Sequence, residues 1–448
     1  MRFVSTRTPR GATATTAAPG AGVSFATALF DALPPDGGLY VPDTLDRWSD
    51  AELSRLSRRT LPEIAVRVLR PFTSGDLDPA VLEAVIVEAL NFEIPLVEVQ
   101  PGVHALELFH GPTLAFKDVG ARVMARLMAA LHNADKPLTV LAATSGDTGS
   151  AVAHAFYRVP NTQVVVLYPD NRISRTQEAQ LTMFNGERAN VRAYAVSGSF
   201  DDCHRLARQA FGDAGLRTRT SLTSANSVNV GRLLPQMIYY FSAIAALGAA
   251  RRGGALFCTP SGNFGNLTAG LMAKHAGLPI GRFIAATNIN DVVPEYLSTG
   301  TFRPRASVQT LANAMDVGHP SNFERMVWLY GCDLDAMRRD IGGCAMTDDN
   351  VRATIREVYE TRGYVLDPHS AIAYRGLVED NRTAGRAPTA SGVFLATAHP
   401  AKFAEVVEPI IGGSIQKPAP LAQALARPRH IIRIDASFEA VRSVLTHG

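Results

Sequence analysis

The run Leu138-Thr139-Val140-Leu141-Ala142-Ala143-Thr144-Ser145-Gly146-Asp147-Thr148-Gly149-Ser150 decides the fold. Its opening residues are apolar or β-branched and end too soon for a helix, as in a strand covered on both faces. A glycine turn follows, and residues 150–157 read as a helix. Further on, a strand is expected at 163–168, then a helix through Phe184 capped by Ser174. A strand at 191–196 and a helix at 201–211 continue the alternation. It predicts an open, mostly parallel sheet with helices on both faces.

A second alternating set lies beyond a long helix expected over 230–247. It comprises a strand at 255–259, the turn Ser261-Gly262-Asn263-Phe264-Gly265-Asn266, a helix, and a strand at 282–287. Strand character resumes at 393–396, with a helix over 401–411. Toward the N-terminus, residues 11–22 form an Ala/Thr/Pro/Gly loop. Pro34-Pro35-Asp36-Gly37-Gly38 is a turn before the strand-like Leu39-Tyr40-Val41. Leu53, Leu56, Leu61, Ile64, Val68, Leu82, Val85 and Leu90 recur at helical spacing. The expected fold class is α/β: two open parallel-sheet α/β domains with a cleft between them, plus a helical N-terminal region. The expected boundaries are 1–95 for that region, 96–118 with 225–448 for the large domain, and 119–224 for the small one.

A chain of 448 residues, 46% hydrophobic and 19% charged, has the composition of a multidomain globular protein. A net charge of +3 implies no nucleic-acid or acidic-membrane partner, and basic pairs such as Arg251-Arg252 and Arg338-Arg339 are short. Four cysteines without C-x-x-C spacing fit a reducing cytoplasm rather than a disulfide framework. No signal-peptide pattern opens the chain, and no run approaches the roughly 18 apolar residues of a membrane span. No clustered ligand pattern suggests a metal.

Chemistry concentrates at strand ends. Lys117 closes His110-Gly111-Pro112-Thr113-Leu114-Ala115-Phe116 and opens an apolar, helix-like run over 119–131. Packing of that kind desolvates an amine, lowers its pKa and makes it a nucleophile; a solvated surface charge is the alternative. At 261–266, glycines after a strand let backbone N–H groups converge on an anion at a helix N-terminus; the alternative is a plain turn. In the 144–149 turn, hydroxyls of Thr144, Ser145 and Thr148 suit a carboxylate or phosphate, or simply cap the next helix. Asn226-Ser227-Val228-Asn229-Val230-Gly231-Arg232 brings two amides, a hydroxyl and a guanidinium to another helix start, again for phosphate or for capping. Thr397, in Thr397-Ala398-His399-Pro400-Ala401-Lys402-Phe403, follows the last strand; His399 is read as structural. A lysine followed by two anion-cradling turns suits a pyridoxal phosphate enzyme.

These segments together resemble the threonine synthases, pyridoxal phosphate enzymes of the tryptophan-synthase-β (type II) fold. Further likeness lies in Met1-Arg2-Phe3-Val4-Ser5-Thr6-Arg7, Asp36-Gly37-Gly38-Leu39-Tyr40-Val41-Pro42, Leu311-Ala312-Asn313-Ala314-Met315-Asp316-Val317-Gly318 and Asp367-Pro368-His369-Ser370-Ala371. The resemblance implies that Lys117 bonds to the cofactor and that Gly262, Asn263, Phe264, Gly265 and Asn266 form its phosphate loop. It implies that Thr397 faces the ring nitrogen. Asn226, Ser227 and Arg232, with Thr144, Ser145 and Thr148 nearby, would hold the phosphate of O-phospho-L-homoserine, to be turned with water into L-threonine and phosphate. A phospho-lyase giving a 2-oxo acid and a non-catalytic cofactor-binding protein are the alternatives. One departure stands out: the wider fold has Asn where this chain has Asp147, beside the cofactor's phenolic oxygen. An ionised carboxylate would repel a phenolate there, so Asp147 is expected to be protonated or turned away.

Overall fold

The computed structural model describes residues 1–8, 22–132, 137–144, 146–186, 190–248, 254–383 and 391–447. The loop expected at 11–22 lies, except for Gly22, outside the described residues, as do Ser145 and Arg251-Arg252. In chain order the strands are β1 (Phe3–Ser5), β2 (Tyr40–Pro42), β3 (Leu96–Gln100), β4 (Val103–Glu107), β5 (Leu138–Ala143), β6 (Thr162–Pro169) and β7 (Val191–Val196). They continue with β8 (Ser221–Ser224), β9 (Ala255–Pro260), β10 (Ile280–Thr287), β11 (Ile341–Ala345), β12 (Gly392–Ala396) and β13 (Ile432–Ile434).

One sheet has the order β11-β10-β9-β12-β4-β3, parallel except for the terminal β3–β4 pair. The other, β13-β7-β6-β5-β8, is parallel throughout. Both are covered on two faces, which is why their central strands read as unbroken apolar runs. In β5, Val140 and Ala142 join the main core, while Leu141 and Ala143 face a second cluster. In β9, Phe257 joins the main core, while Leu256 and Cys258 face a third. The N-terminal region supplies the helices Asp50–Ser54, Leu61–Thr73 and Pro79–Ala89. No described helix is long and apolar enough to cross a membrane.

Three expectations need correction. The helix expected over 230–247 is broken into Val230–Leu233, a 3-10 turn at Leu234–Gln236 and Met237–Leu247. Pro235 has no N–H to donate to the preceding turn, which accounts for the break. The helix expected over 401–411 likewise starts as a 3-10 turn, Pro400–Phe403, before Ala404–Ile411. The assignment of all of 225–448 to the large domain also fails at its end. There β13 pairs with β7, and the helix Phe438–His447 buries Val441 and Leu445 against Cys203 and Leu206. Without them β7 would be a bare sheet edge.

The topology gathers carboxyl ends. β4 and β12 are neighbours in register, Glu107 opposite Ala396, so the chains leaving them run side by side. Phe116 N–H donates to the Thr397 carbonyl (2.9 Å), His399 N–H to that of Leu114 (3.1 Å), and Ala115 bridges Ala398. That pairing sets Lys117 beside Thr397. β9, next to β12, ends at the 261–266 turn, while β5 and β8 end at the 144–149 turn and the 225–232 segment.

Candidate active site

A cavity of about 1380 Å³ opens where these ends meet. Lys117, Thr144, Asp147, Thr148, Asn226, Ser227, Arg232, Gly262, Asn263, Phe264, Gly265, Asn266 and Thr397 all line it. Residues far apart in sequence therefore share one site.

Lys117 is the first residue of the helix Lys117–Leu131, and its side chain is 13% exposed. Burial pulls its ammonium down to about 8; Asp147 opposes this, and Lys402 and Arg232 add to it. A share of the amine is therefore neutral near neutral pH, as a nucleophile and base requires.

Asp147, expected to be protonated or turned away, has one carboxylate oxygen turned to Lys402. Burial pushes its pKa up, but Lys402 and Lys117 outweigh burial and hold it well below the usual carboxylate range. Lys402 Nζ, wholly buried, sits 2.7 Å from Oδ1 and also donates to the Thr113 carbonyl (2.9 Å). Gln177 Nε2 donates to the same Oδ1 (3.1 Å), leaving Oδ2 toward Lys117 Nζ at 3.9 Å. Lys402 is the functional residue missed in the sequence, where it stood in view within 397–403. Its only signal was a lysine in an otherwise apolar turn.

The turns behave unequally. Thr144 Oγ1 accepts from Gly146 N–H (3.0 Å) and Gly149 N–H (2.8 Å), so its oxygen is engaged in capping, the alternative reading. Gly146 has φ +134°, and a Cβ there would come within 2.5 Å of Gln177. Asn226 spends both amide atoms on the backbone of Ala143, pinning its loop to the end of β5. Asn263 donates to Ser227 Oγ (2.7 Å), joining the 261–266 turn to the 225–232 segment. Asn266 is a loop stitch, bonded to Ser261 Oγ, Leu267 N–H and the Pro260 carbonyl. His399 Nδ1 accepts from Ala401 N–H (3.1 Å), the structural role expected of it.

Two features fit anionic ligands. The helix Gly265–His275 begins after Phe264, which is left-handed at φ +57° and makes no side-chain cap, while Asn266 Oδ1 takes the Leu267 N–H; the start of the helix, with its dipole, lies on the cavity wall. Arg232 is 4% exposed, its Nη1 donates to the Ala225 carbonyl (2.7 Å), and its Nε has no hydrogen-bond partner among the described residues. Burial lowers Arg232 to about 10, so it remains a cation. Among the described residues no cluster of His, Cys, Asp or Glu is arranged to hold a metal.

A buried lysine on the wall of a cavity at the carboxyl ends of two mostly parallel sheets, with a helix start and a buried guanidinium on the same wall, is the setting of a pyridoxal phosphate-dependent enzyme. Residues 89–397 match the family model described as pyridoxal-phosphate dependent enzyme. Residues 2–90 match that for the threonine synthase N terminus, and 370–445 that for its C-terminal part. Threonine synthase of Escherichia coli is 43% identical over 423 residues, covering 94% of this chain and 96% of that protein. The Saccharomyces cerevisiae threonine synthase is 32% identical over 87% of each. The crystal structure of the E. coli enzyme superposes with a TM-score of 0.90 at 41% identity, over 99% of both chains. The pyridoxal phosphate-bound threonine synthase of Brucella melitensis gives 0.90 at 36% identity, over 100% of this chain and 99% of that one. The chain belongs to the threonine synthase family of pyridoxal phosphate-dependent lyases.

Proposed function

We propose that this threonine synthase acts on O-phospho-L-homoserine, releasing phosphate from Cγ and adding water at Cβ to give L-threonine. Arg232 carries the reading: a buried guanidinium, with a partnerless Nε, on the wall of the cavity that holds Lys117. The buried Asp118 offsets part of its charge, and an arriving anion would offset more. Ser227 lies on the same stretch, and Thr148 on the facing turn completes the polar lining. Ser145 belongs to this group by resemblance alone.

Pyridoxal phosphate, when bound, supplies an electron sink beside the substrate nitrogen. Lys117 would hold it, and its amine, when free, would act as general base toward the substrate's α-proton and then a β-proton. Gly262 to Asn266 receive its phosphate at the helix N-terminus. Thr397 would offer a neutral hydroxyl to the ring nitrogen, where a carboxylate would hold a proton on it. Asp147 would face the phenolic oxygen with its charge balanced by Lys402, which would relieve the repulsion a bare carboxylate exerts. The four cysteines, all free, support a reducing, cytoplasmic setting.

The test is product analysis on the purified yellow protein, whose visible band should vanish on borohydride with the cofactor fixed to Lys117. Threonine and phosphate should appear in equal amounts from O-phospho-L-homoserine. Release of 2-oxobutyrate in place of threonine would overturn the reading.

A further inference from the structure

Arg325 is a second buried guanidinium beside this site, yet it does not line the cavity. It belongs to the helix Phe323–Leu329 and is 0% exposed. Its Nε donates to the Tyr40 carbonyl (3.0 Å), Nη1 to the Ser227 carbonyl (3.0 Å) and Asn322 Oδ1 (2.6 Å), and Nη2 to the Val228 carbonyl (2.6 Å). Asn322 in turn donates to Ser227 Oγ (3.2 Å) and the Asn263 carbonyl (3.1 Å), so both turns rest on the same support. Among the described residues neither Arg325 nor Arg232 forms an ion pair. Burial pulls Arg325 down to about 9, so it is still charged at neutral pH.

Neutral acceptors satisfy its N–H groups, and the neighbouring Glu324 offsets part of its charge; a buried cation compensated only in part is costly. What the arrangement achieves is orientation. Arg325 draws the carbonyls of Ser227 and Val228 inward, and Arg232 draws that of Ala225. A trans peptide points its N–H opposite its carbonyl, so the Val228 N–H is turned away from Arg325. Carbonyl oxygens that would repel an anion are held off the wall, and a full positive charge stands behind it.

We propose that Arg325 is a positioning residue for the substrate phosphate, holding the Ser227–Val228 backbone in its anion-accepting orientation and supplying charge from behind the cavity wall. This rests on the phosphate reading of the Asn226 to Arg232 segment. It adds a residue that never touches the ligand and lies about a hundred positions away in the sequence.

The experiment measures inorganic phosphate binding to the cofactor-loaded protein by calorimetry, alongside KM and kcat. A unit charge about 12 Å from a bound anion is worth about tenfold in affinity at an effective dielectric of about 20, and more when nearer. Arg325→Gln should therefore lose about tenfold in phosphate affinity and raise KM in step, with kcat and the cofactor's absorbance band little changed. Arg325→Lys keeps the charge but not the fork, and should lose about threefold. It decides the matter if the glutamine variant does not fold. Phosphate affinity within twofold of the parent in every folded variant, with only a lower melting temperature, would overturn the proposal. Arg232→Leu separates the two readings. If it abolishes phosphate binding while the Arg325 variants retain it, this inference alone fails. If the parent binds no phosphate, both fail.

Discussion

Lys117 enters its helix at the first position, where the helix dipole disfavours a cation and reinforces the effect of burial. Asp147 pulls the other way, and Lys402 checks Asp147 by occupying its Oδ1 at 2.7 Å. Removing Lys402 therefore has two consequences. Breaking a buried pair from one side costs about 3–5 kcal/mol, so Lys402→Met should lower the urea midpoint, and Asp147→Asn/Lys402→Met should recover much of the loss. It also frees Asp147 to hold the Lys117 ammonium. In the cofactor-free parent protein, capture of pyridoxal phosphate should speed up as pH rises and level off above about 8 as the amine loses its proton. In Lys402→Met that curve should move to higher pH, and an unmoved curve would separate Lys402 from the chemistry. Acid has the opposite sense. The folded Asp147 carboxyl sits below its unfolded value of about 3.9, so the pair's stabilisation is present above that pH and is lost only as pH falls below it.

Among the elements, the turns that follow β5 and β9 occupy equivalent places but divide the work. The first folds back on itself, Thr144 capping its helix and Gly146 making room for Gln177. The second spends Asn266 Oδ1 on the Leu267 N–H of its own helix and brings Phe264, Gly265 and Asn266 to the cavity wall. Gly262 shows how little room it has: a Cβ there would lie 2.7 Å from Met315 Cα and 2.9 Å from the Ala314 carbonyl, both backbone atoms. Gly262→Ala must displace either the turn or the 311–318 loop. It should weaken pyridoxal phosphate affinity by at least about tenfold, some 1.4 kcal/mol, with the circular dichroism spectrum unchanged. Equal cofactor retention at dilution would mean that the turn can shift freely. The glycines were legible in the sequence as turn formers. How each turn would be stitched depended on where Thr144 and Asn266 placed their side chains, and local sequence does not encode that.

Across the whole molecule, the small sheet is completed from the far end of the chain. β13 covers the edge of β7, and Val441 and Leu445 close the core over Cys203, Leu206 and Leu216. Leu445→Ala should cost about 2–5 kcal/mol, read as a lower urea midpoint for this unit with cofactor binding intact. Unchanged stability would mean that the C-terminal helix is dispensable. The strand–turn–helix alternation, the positions of Lys117 and Thr397 and the three polar turns could all be read from residues adjacent in the chain. Apolar periodicity and backbone freedom are local properties, so they survive in one dimension. Pairing across hundreds of residues is not local. The ionised state of Asp147, the buried charges of Lys402 and Arg325 and the return of β13 to a distant sheet arose only when folding excluded water and brought those groups within bonding distance. A charge has a partner, a cost and a pKa only once its neighbours in space are fixed.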